Sequence, residues 1–201
     1  MSVNPDDAGP FFYVLQEAVR ILYVDDDPIL REFAVVNLAT ERARVDTAAD
    51  GRAALAAISG EPPDLVLLDL DMPEMDGFQV LEALRADPKF ADLPVIVVTG
   101  REDVEAVDRA FAVGATSFVV KPLNWRLLSH QLRYVHRSAM NERTLAAERA
   151  SAQAMVARLA AHGTRFVATA LARDPGLRPA AVAFARTVDS ALRSDDHVEA
   201  A

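Results

Sequence analysis

Short apolar runs alternate with helical periodicities between residues 20 and 134. The runs occupy positions 21–24, 65–68, 95–98 and 118–120, with a weaker one around 45–48. Three of them are near-continuously apolar and β-branched, the pattern of parallel strands buried on both faces. Between the runs, Asp27-Pro28 offers an N-cap and a proline at the first helical position, followed by Leu30, Phe33, Ala34 and Leu38 on one face. Phe78, Leu81 and Leu84 form a second apolar stripe, and Val104, Val107 and Phe111 a third. Such alternation predicts a parallel sheet covered by helices on both sides.

Beyond Pro122 the period changes. Asn124 can cap a helix whose apolar residues are Leu127, Leu128, Leu132 and Val135, and alanine-rich helical sequence continues to about residue 172. Within it Leu145, Ala152, Met155, Leu159 and Phe166 fall on a 3-4 spacing, interrupted by Glu148 and His162. Asp174-Pro175-Gly176 breaks the helix; Ala181, Phe184, Ala185, Val188 and Leu192 predict one more, and the chain frays from Ser194. The pattern divides the chain into an N-terminal tail (1–18), an α/β domain (19–138) and a helical extension (139–201) suited to dimerisation or to docking a partner. No internal repeat is visible.

Composition narrows the class. The 201 residues suffice for one well-buried domain plus something smaller, and 51% hydrophobic with 25% charged is ordinary for a globular chain. The absence of cysteine excludes disulfides and thiolate zinc sites. No apolar run reaches membrane-spanning length, and residues 1–10 are acidic and contain proline, unlike a secretory signal or transit peptide. The expected location is the cytoplasm, with no membrane association. Residues 20–137 hold 20 acidic and 13 basic side chains, a net of −7, whereas 139–201 hold 7 and 8, a net of +1. Neither segment has the basic footprint of a nucleic-acid binder.

The position of the carboxylates is more specific. Asp25, Asp26 and Asp27 follow the first run directly; Asp69 follows the third, with Asp71 two residues on; Thr99 ends the fourth and Lys121 the fifth. In a parallel sheet the carboxyl ends of the strands share one edge, where ligands bind beside the topological switch point. Residues from separated segments therefore meet there. The chemistry they suit is phosphoryl transfer assisted by a hard cation. Magnesium takes oxygen ligands, which Asp26 and Asp69 can supply, with Asp25 holding a bound water. Asp69 can act as a carboxylate nucleophile toward phosphorus, while Lys121 and the Thr99 hydroxyl bind phosphoryl oxygens.

The segments ILYVDDDP, DLVLLDLDMPEMDG, VIVVTG and SFVVKPL, in this order and spacing across about residues 20–137, resemble the receiver domains of two-component response regulators. The resemblance implies a flavodoxin-like doubly wound fold, five parallel strands in the order 2-1-3-4-5. It implies Mg2+ held by Asp25, Asp26, Asp69 and the backbone carbonyl of Asp71. Phosphorylation would fall on Asp69, from a histidine kinase or histidine phosphotransfer protein, and Lys121-Pro122 would be cis. Thr99 and Phe118 would form the switch, the aromatic turning inward, and the small Gly100 would leave room for phosphate. Asp71 and Arg101 occupy positions that flank the phosphoryl group and would modulate its lifetime. Such a protein is a phosphoacceptor and not an enzyme in the ordinary sense, with at most self-phosphorylation from small donors and autodephosphorylation.

Plainer readings compete at several positions. Asp27 reads as a helix cap and Asp76-Gly77 as a turn and cap. Phe118 can be core. SHQLRY around His130 is superficially similar to the phosphorylated histidine box of sensor kinases, but no glycine-rich nucleotide segment follows it, and His162 reads as an interfacial polar residue. A haloacid-dehalogenase-like phosphohydrolase would share the Asp69-Leu70-Asp71 pattern, yet in that family the acidic pair comes last, and here Asp25-Asp26 comes first. For output, PLNWRLLSHQLRYVHR is similar to the junction of regulators that carry cyclic-dinucleotide enzymes, but no such domain and no basic recognition helix follow. Two readings remain: a receiver whose extension forms a homodimer or docks a partner, and a phosphate shuttle or sink without dedicated output.

Overall fold

The computed structural model describes residues 18–100 and 104–173, with isolated positions 176, 179, 182, 183 and 186 beyond them. The chain falls into two units, Met1–Asn141 and Glu142–Ala201.

In the first unit five strands, β1 (Val19–Val24), β2 (Ala43–Ala48), β3 (Leu65–Asp69), β4 (Val95–Thr99) and β5 (Ser117–Val120), alternate with α1 (Pro28–Leu38), α2 (Gly51–Gly60), α3 (Gly77–Ala86) and α4 (Val104–Val113). All pairings are parallel and the strand order is β2-β1-β3-β4-β5. The chain runs outward from β1 to β2 and then crosses back to β3, so the switch point lies between β1 and β3.

The two-residue period of the strands divides the core. Leu22, Val24, Val66, Leu68, Val95 and Val97 pack with Ala54, Ile58, Phe78, Leu81, Leu84 and Ala110, the inner faces of α2, α3 and α4. Ile21, Tyr23, Leu65, Leu67, Ile96 and Val98 pack on the other side with Ala34 and Leu38 of α1 and with Leu128, Leu132 and Val135. These last three belong to α5 (Trp125–Arg173), which starts in the first unit and continues in the second. The helix caps follow the sequence: Asp27 accepts from the Ile29 N–H, Asp50 from Ala53, Asp76 from Gln79 in a reciprocal capping box, and the Asn124 side chain from Leu127.

Three residues expected on buried faces lie outside. Phe33 is 51% exposed, Phe111 45% and Leu127 65%. Where α1 and α4 press on the sheet, the close approach is made by Ala34, Ala106 and Ala110, which are buried, and the neighbouring aromatics are displaced outward. β5 is an edge strand and is only partly buried.

The portion of α5 in the second unit leaves Leu145, Met155, Val156 and Leu159 exposed. The side chain of Phe166 and most of the helix expected from residues 181–192 lie outside the described residues.

Candidate functional site

Strand register assembles the site. β1 pairs with β3 up to Val24↔Leu68, so the next residue of each strand brings Asp25 beside Asp69. Asp69 pairs with Val98, one residue before Thr99, and Thr99 pairs with Val120, one residue before Lys121. The Lys121 N–H donates to the Thr99 carbonyl at 2.8 Å, and the Lys121-Pro122 bond is cis.

The carboxylates of Asp25, Asp26 and Asp69 each offer an oxygen within 4.8 Å of the others. Asp25 and Asp69 are buried, and Asp26 is exposed. Like charges in this proximity repel. Lys121 stands between two of them, its Nζ 2.9 Å from Asp25 Oδ2 and 2.9 Å from Asp69 Oδ2. Burial opposes the charge on Lys121, but its bonds to the two carboxylates outweigh that and raise its pKa. For Asp69, burial pushes the carboxyl above its usual range; Lys121 pulls it back and Asp25 adds to the rise, leaving it raised.

A carboxyl whose folded pKa lies above its unfolded value favours folding most at low pH and loses that contribution as pH rises through the folded value. In chelator at neutral pH, Asp69→Asn is therefore expected to melt above the wild type, by about 4 °C for each kcal/mol of strain relieved in a domain of this size. The gap should close below about pH 4, where the unfolded carboxyl also binds its proton. Magnesium should narrow it at neutral pH by binding the native wild-type site. Thermal melts across pH, with and without the ion, check all three.

The donor set is all oxygen, half-buried and acidic. It fits a hard divalent cation such as magnesium and would not suit a soft metal.

Several neighbours hold the carboxylates in place. Asp25 Oδ1 accepts from the Asp27 N–H at 2.9 Å, and Asp25 Oδ2 accepts from the Tyr23 hydroxyl at 3.0 Å. Burial, then the charge of Asp25, push the Tyr23 hydroxyl well above its ordinary pKa, so it stays a donor. Arg31, on the first turn of α1, donates from Nη1 to the backbone carbonyls of Asp25 (2.7 Å) and Asp26 (2.9 Å). The Asp71 N–H turns back toward Asp69 Oδ1 at 3.4 Å. Tyr23 and Arg31 were not anticipated from the sequence. Tyr23 lies two residues before Asp25, on the same strand face, and that spacing was the available signal.

Glycine shapes the floor. A Cβ on Gly77 would lie 2.2 Å from the Asp69 carbonyl oxygen and 2.8 Å from Leu70 Cα. Both are backbone atoms of the acceptor loop, so they cannot swing aside. Gly77→Ala is expected to cost about 1–3 kcal/mol by denaturant unfolding, the scale of overpacking. Gly100 is exposed, and a Cβ there would meet nothing within 4 Å among the described residues.

Thr99 is buried at the end of β4. Phe118, the other expected switch residue, is 36% exposed and meets Phe111 edge-on, ring centroids 5.9 Å apart. Arg101 lies outside the described residues, so its pairing with Asp71 has no structural counterpart here. His130 sits on α5, in its second turn.

The response regulator receiver domain family matches residues 21–133. Among curated proteins, the chain is 36% identical over 105 residues to the DNA-binding dual master transcriptional regulator RpaA of Synechocystis sp., covering 52% of this chain and 44% of that protein. It is 37% identical over 124 residues to a probable cyclic di-GMP phosphodiesterase of Vibrio cholerae, covering 62% of this chain and 27% of that one. The chain thus spans less than half the length of these relatives. Among solved structures, the chemotaxis protein CheY4 of Vibrio cholerae aligns with a TM-score of 0.56 at 34% identity, over 58% of this chain and 98% of its own. NtrX of Brucella abortus aligns with a TM-score of 0.60 at 29% identity, over 64% of this chain and 29% of its own. In all of these the shared part is less than two thirds of this chain.

Proposed function

The chain belongs to the response regulator receiver domain family, and from that premise we propose that Asp69 accepts a phosphoryl group from a histidine kinase or histidine phosphotransfer protein. The observation that carries this reading is the meeting of three carboxylates from two strand ends with one lysine from a third, Lys121 Nζ lying 2.9 Å from both Asp25 and Asp69.

In the transfer, an Asp69 carboxylate oxygen forms a bond to phosphorus as the phosphorus–nitrogen bond of the donor phosphohistidine breaks. The imidazole leaves with the electron pair and is protonated from solvent. Lys121 exchanges a carboxylate partner for a phosphoryl oxygen, and the Thr99 hydroxyl donates to another. Asp25, Asp26, Asp69 and the Asp71 carbonyl would hold magnesium, which when bound neutralises charge on the transferring group. Phe118 would then turn inward from its exposed position, and Arg101 with Asp71 would screen the phosphoryl group from water.

The family match favours this reading over a haloacid-dehalogenase-type hydrolase. No helix among the described residues is long and apolar enough to cross a membrane, which is compatible with a cytoplasmic protein. The helical extension is the output in this proposal: its exposed Leu145, Met155 and Leu159 suit a protein partner, and a second copy of the chain meets the same need.

Incubation with acetyl phosphate and magnesium tests the acceptor role. One acid-stable, base-labile phosphoryl group per chain is expected by intact mass, and none in chelator. A chain that stays unmodified under both conditions refutes it.

A further inference from the structure

Asp25 carries a donor that the phosphoacceptor reading does not use. Tyr23 is fully buried between the sheet and the helices α1 and α5, and its ring lies against Trp125, centroids 6.4 Å apart. An otherwise apolar pocket has to satisfy a buried phenol, and the partner here is Asp25 Oδ2, at 3.0 Å. The same oxygen receives Lys121 at 2.9 Å. The other oxygen is taken by the Asp27 N–H, and Arg31 is engaged with backbone carbonyls.

We infer that Tyr23 is a positioning residue of the phosphoacceptor site: its hydroxyl keeps Asp25 satisfied when Lys121 leaves Asp25 for the phosphoryl group. The inference rests on the receiver reading above. At rest Lys121 bridges Asp25 and Asp69. Two of its three N–H donors are taken by these carboxylates, and following a phosphoryl group that extends beyond Asp69 draws the ammonium away from Asp25. Asp25 is wholly buried, and an Oδ2 without Lys121 or Tyr23 would have only magnesium, where bound, to offset its desolvation penalty. The Tyr23 hydroxyl removes that penalty, because it stays on Oδ2 after the lysine has gone. The ring contact with Trp125 holds the phenol in line with Asp25, so the donor does not swing away. With phenylalanine at position 23, Asp25 would hold Lys121 more tightly and the exchange would slow.

A double-mutant cycle on the full chain tests the sharing of Oδ2 without any phosphoryl transfer. Tyr23→Phe, Lys121→Met and the double variant are melted in chelator beside the wild type. Tyr23→Phe is expected to lower the melting temperature further in the Lys121→Met background than alone, because it then removes the last side-chain donor from Asp25 Oδ2. Equal losses in the two backgrounds would mean that the hydroxyl and Lys121 act independently of each other, and would overturn the inference. A second measurement needs only the single variant, which keeps every ring contact. Labelling by acetyl phosphate at saturating magnesium should slow about tenfold in Tyr23→Phe, the scale of one hydrogen bond to a charged group. Emission from Trp125, the sole tryptophan, should stay at its wild-type maximum. An unslowed rate also overturns the role. If the wild type itself takes no phosphoryl group, it is the receiver reading that fails, and the chelator cycle still reports whether Tyr23 and Lys121 share Asp25.

Discussion

Asp69→Asn is expected to take phosphoryl labelling by acetyl phosphate down to background. The substitution keeps the shape of the side chain and removes its nucleophilic charge. Neither neighbouring carboxylate is placed to substitute. Asp25 is wholly buried, with donors from Asp27, Tyr23 and Lys121 on its two oxygens. Asp26 is exposed, but Lys121, whose charge the transferring group needs, contacts Asp25 and Asp69. Asp26→Ala should therefore remain labelled while needing more magnesium, since it loses a ligand and keeps the nucleophile. Intact mass after incubation, with peptide mapping of the modified site, separates the two variants. Full labelling of Asp69→Asn would move the acceptor elsewhere.

The full-length chain is expected to run as a dimer, twice its 21.8 kDa. α5 continues into the second unit, and its part there is nearly all exposed. Leu145, Met155 and Leu159 recur on one side of it and are exposed in the isolated chain. A helix in water normally buries such a stripe against another helix, and two-fold pairing of identical helices does so over the whole length. Alanine at many seam positions keeps each contact small. His162 is turned to its own helix, Nδ1 2.8 Å from the Arg158 carbonyl oxygen. Light scattering at tens of micromolar should give a dimer for the wild type and a monomer for Leu145→Glu combined with Leu159→Glu or for a chain ended at Asn141. A monomeric wild type, phosphorylated or not, would show that the stripe serves a different partner.

Much of the site could be read along the chain, because its parts are local. Each candidate residue follows an apolar run, and a parallel sheet brings the carboxyl ends of its strands to one edge whatever the helices between them do. Asp25, Asp69, Thr99 and Lys121 follow from that rule, and the strand order and cis Lys121-Pro122 agree with what the family resemblance implied. Caps are equally local, so Asp27, Asp76 and Asn124 could be assigned from spacing alone.

Contacts between elements distant in sequence needed the fold. Helical periodicity marks an apolar side but not which residue on it meets the sheet, and at α1 and α4 close packing selected alanines and left Phe33 and Phe111 outside. Arg85 shows the same limit: nothing in its neighbourhood announces that it is partly buried, donating to the carbonyls of Gly114, Phe90 and Leu93 and so tying the loop after α3 to the turn after α4. Tyr23 reads as a strand residue among others until its hydroxyl and Lys121 are seen on the same oxygen of Asp25. The sequence by itself determined which residues stand at the sheet edge, since that depends on the strand pattern alone. The tertiary structure decided which of them share a proton donor or a charge, since those distances depend on how separate elements pack.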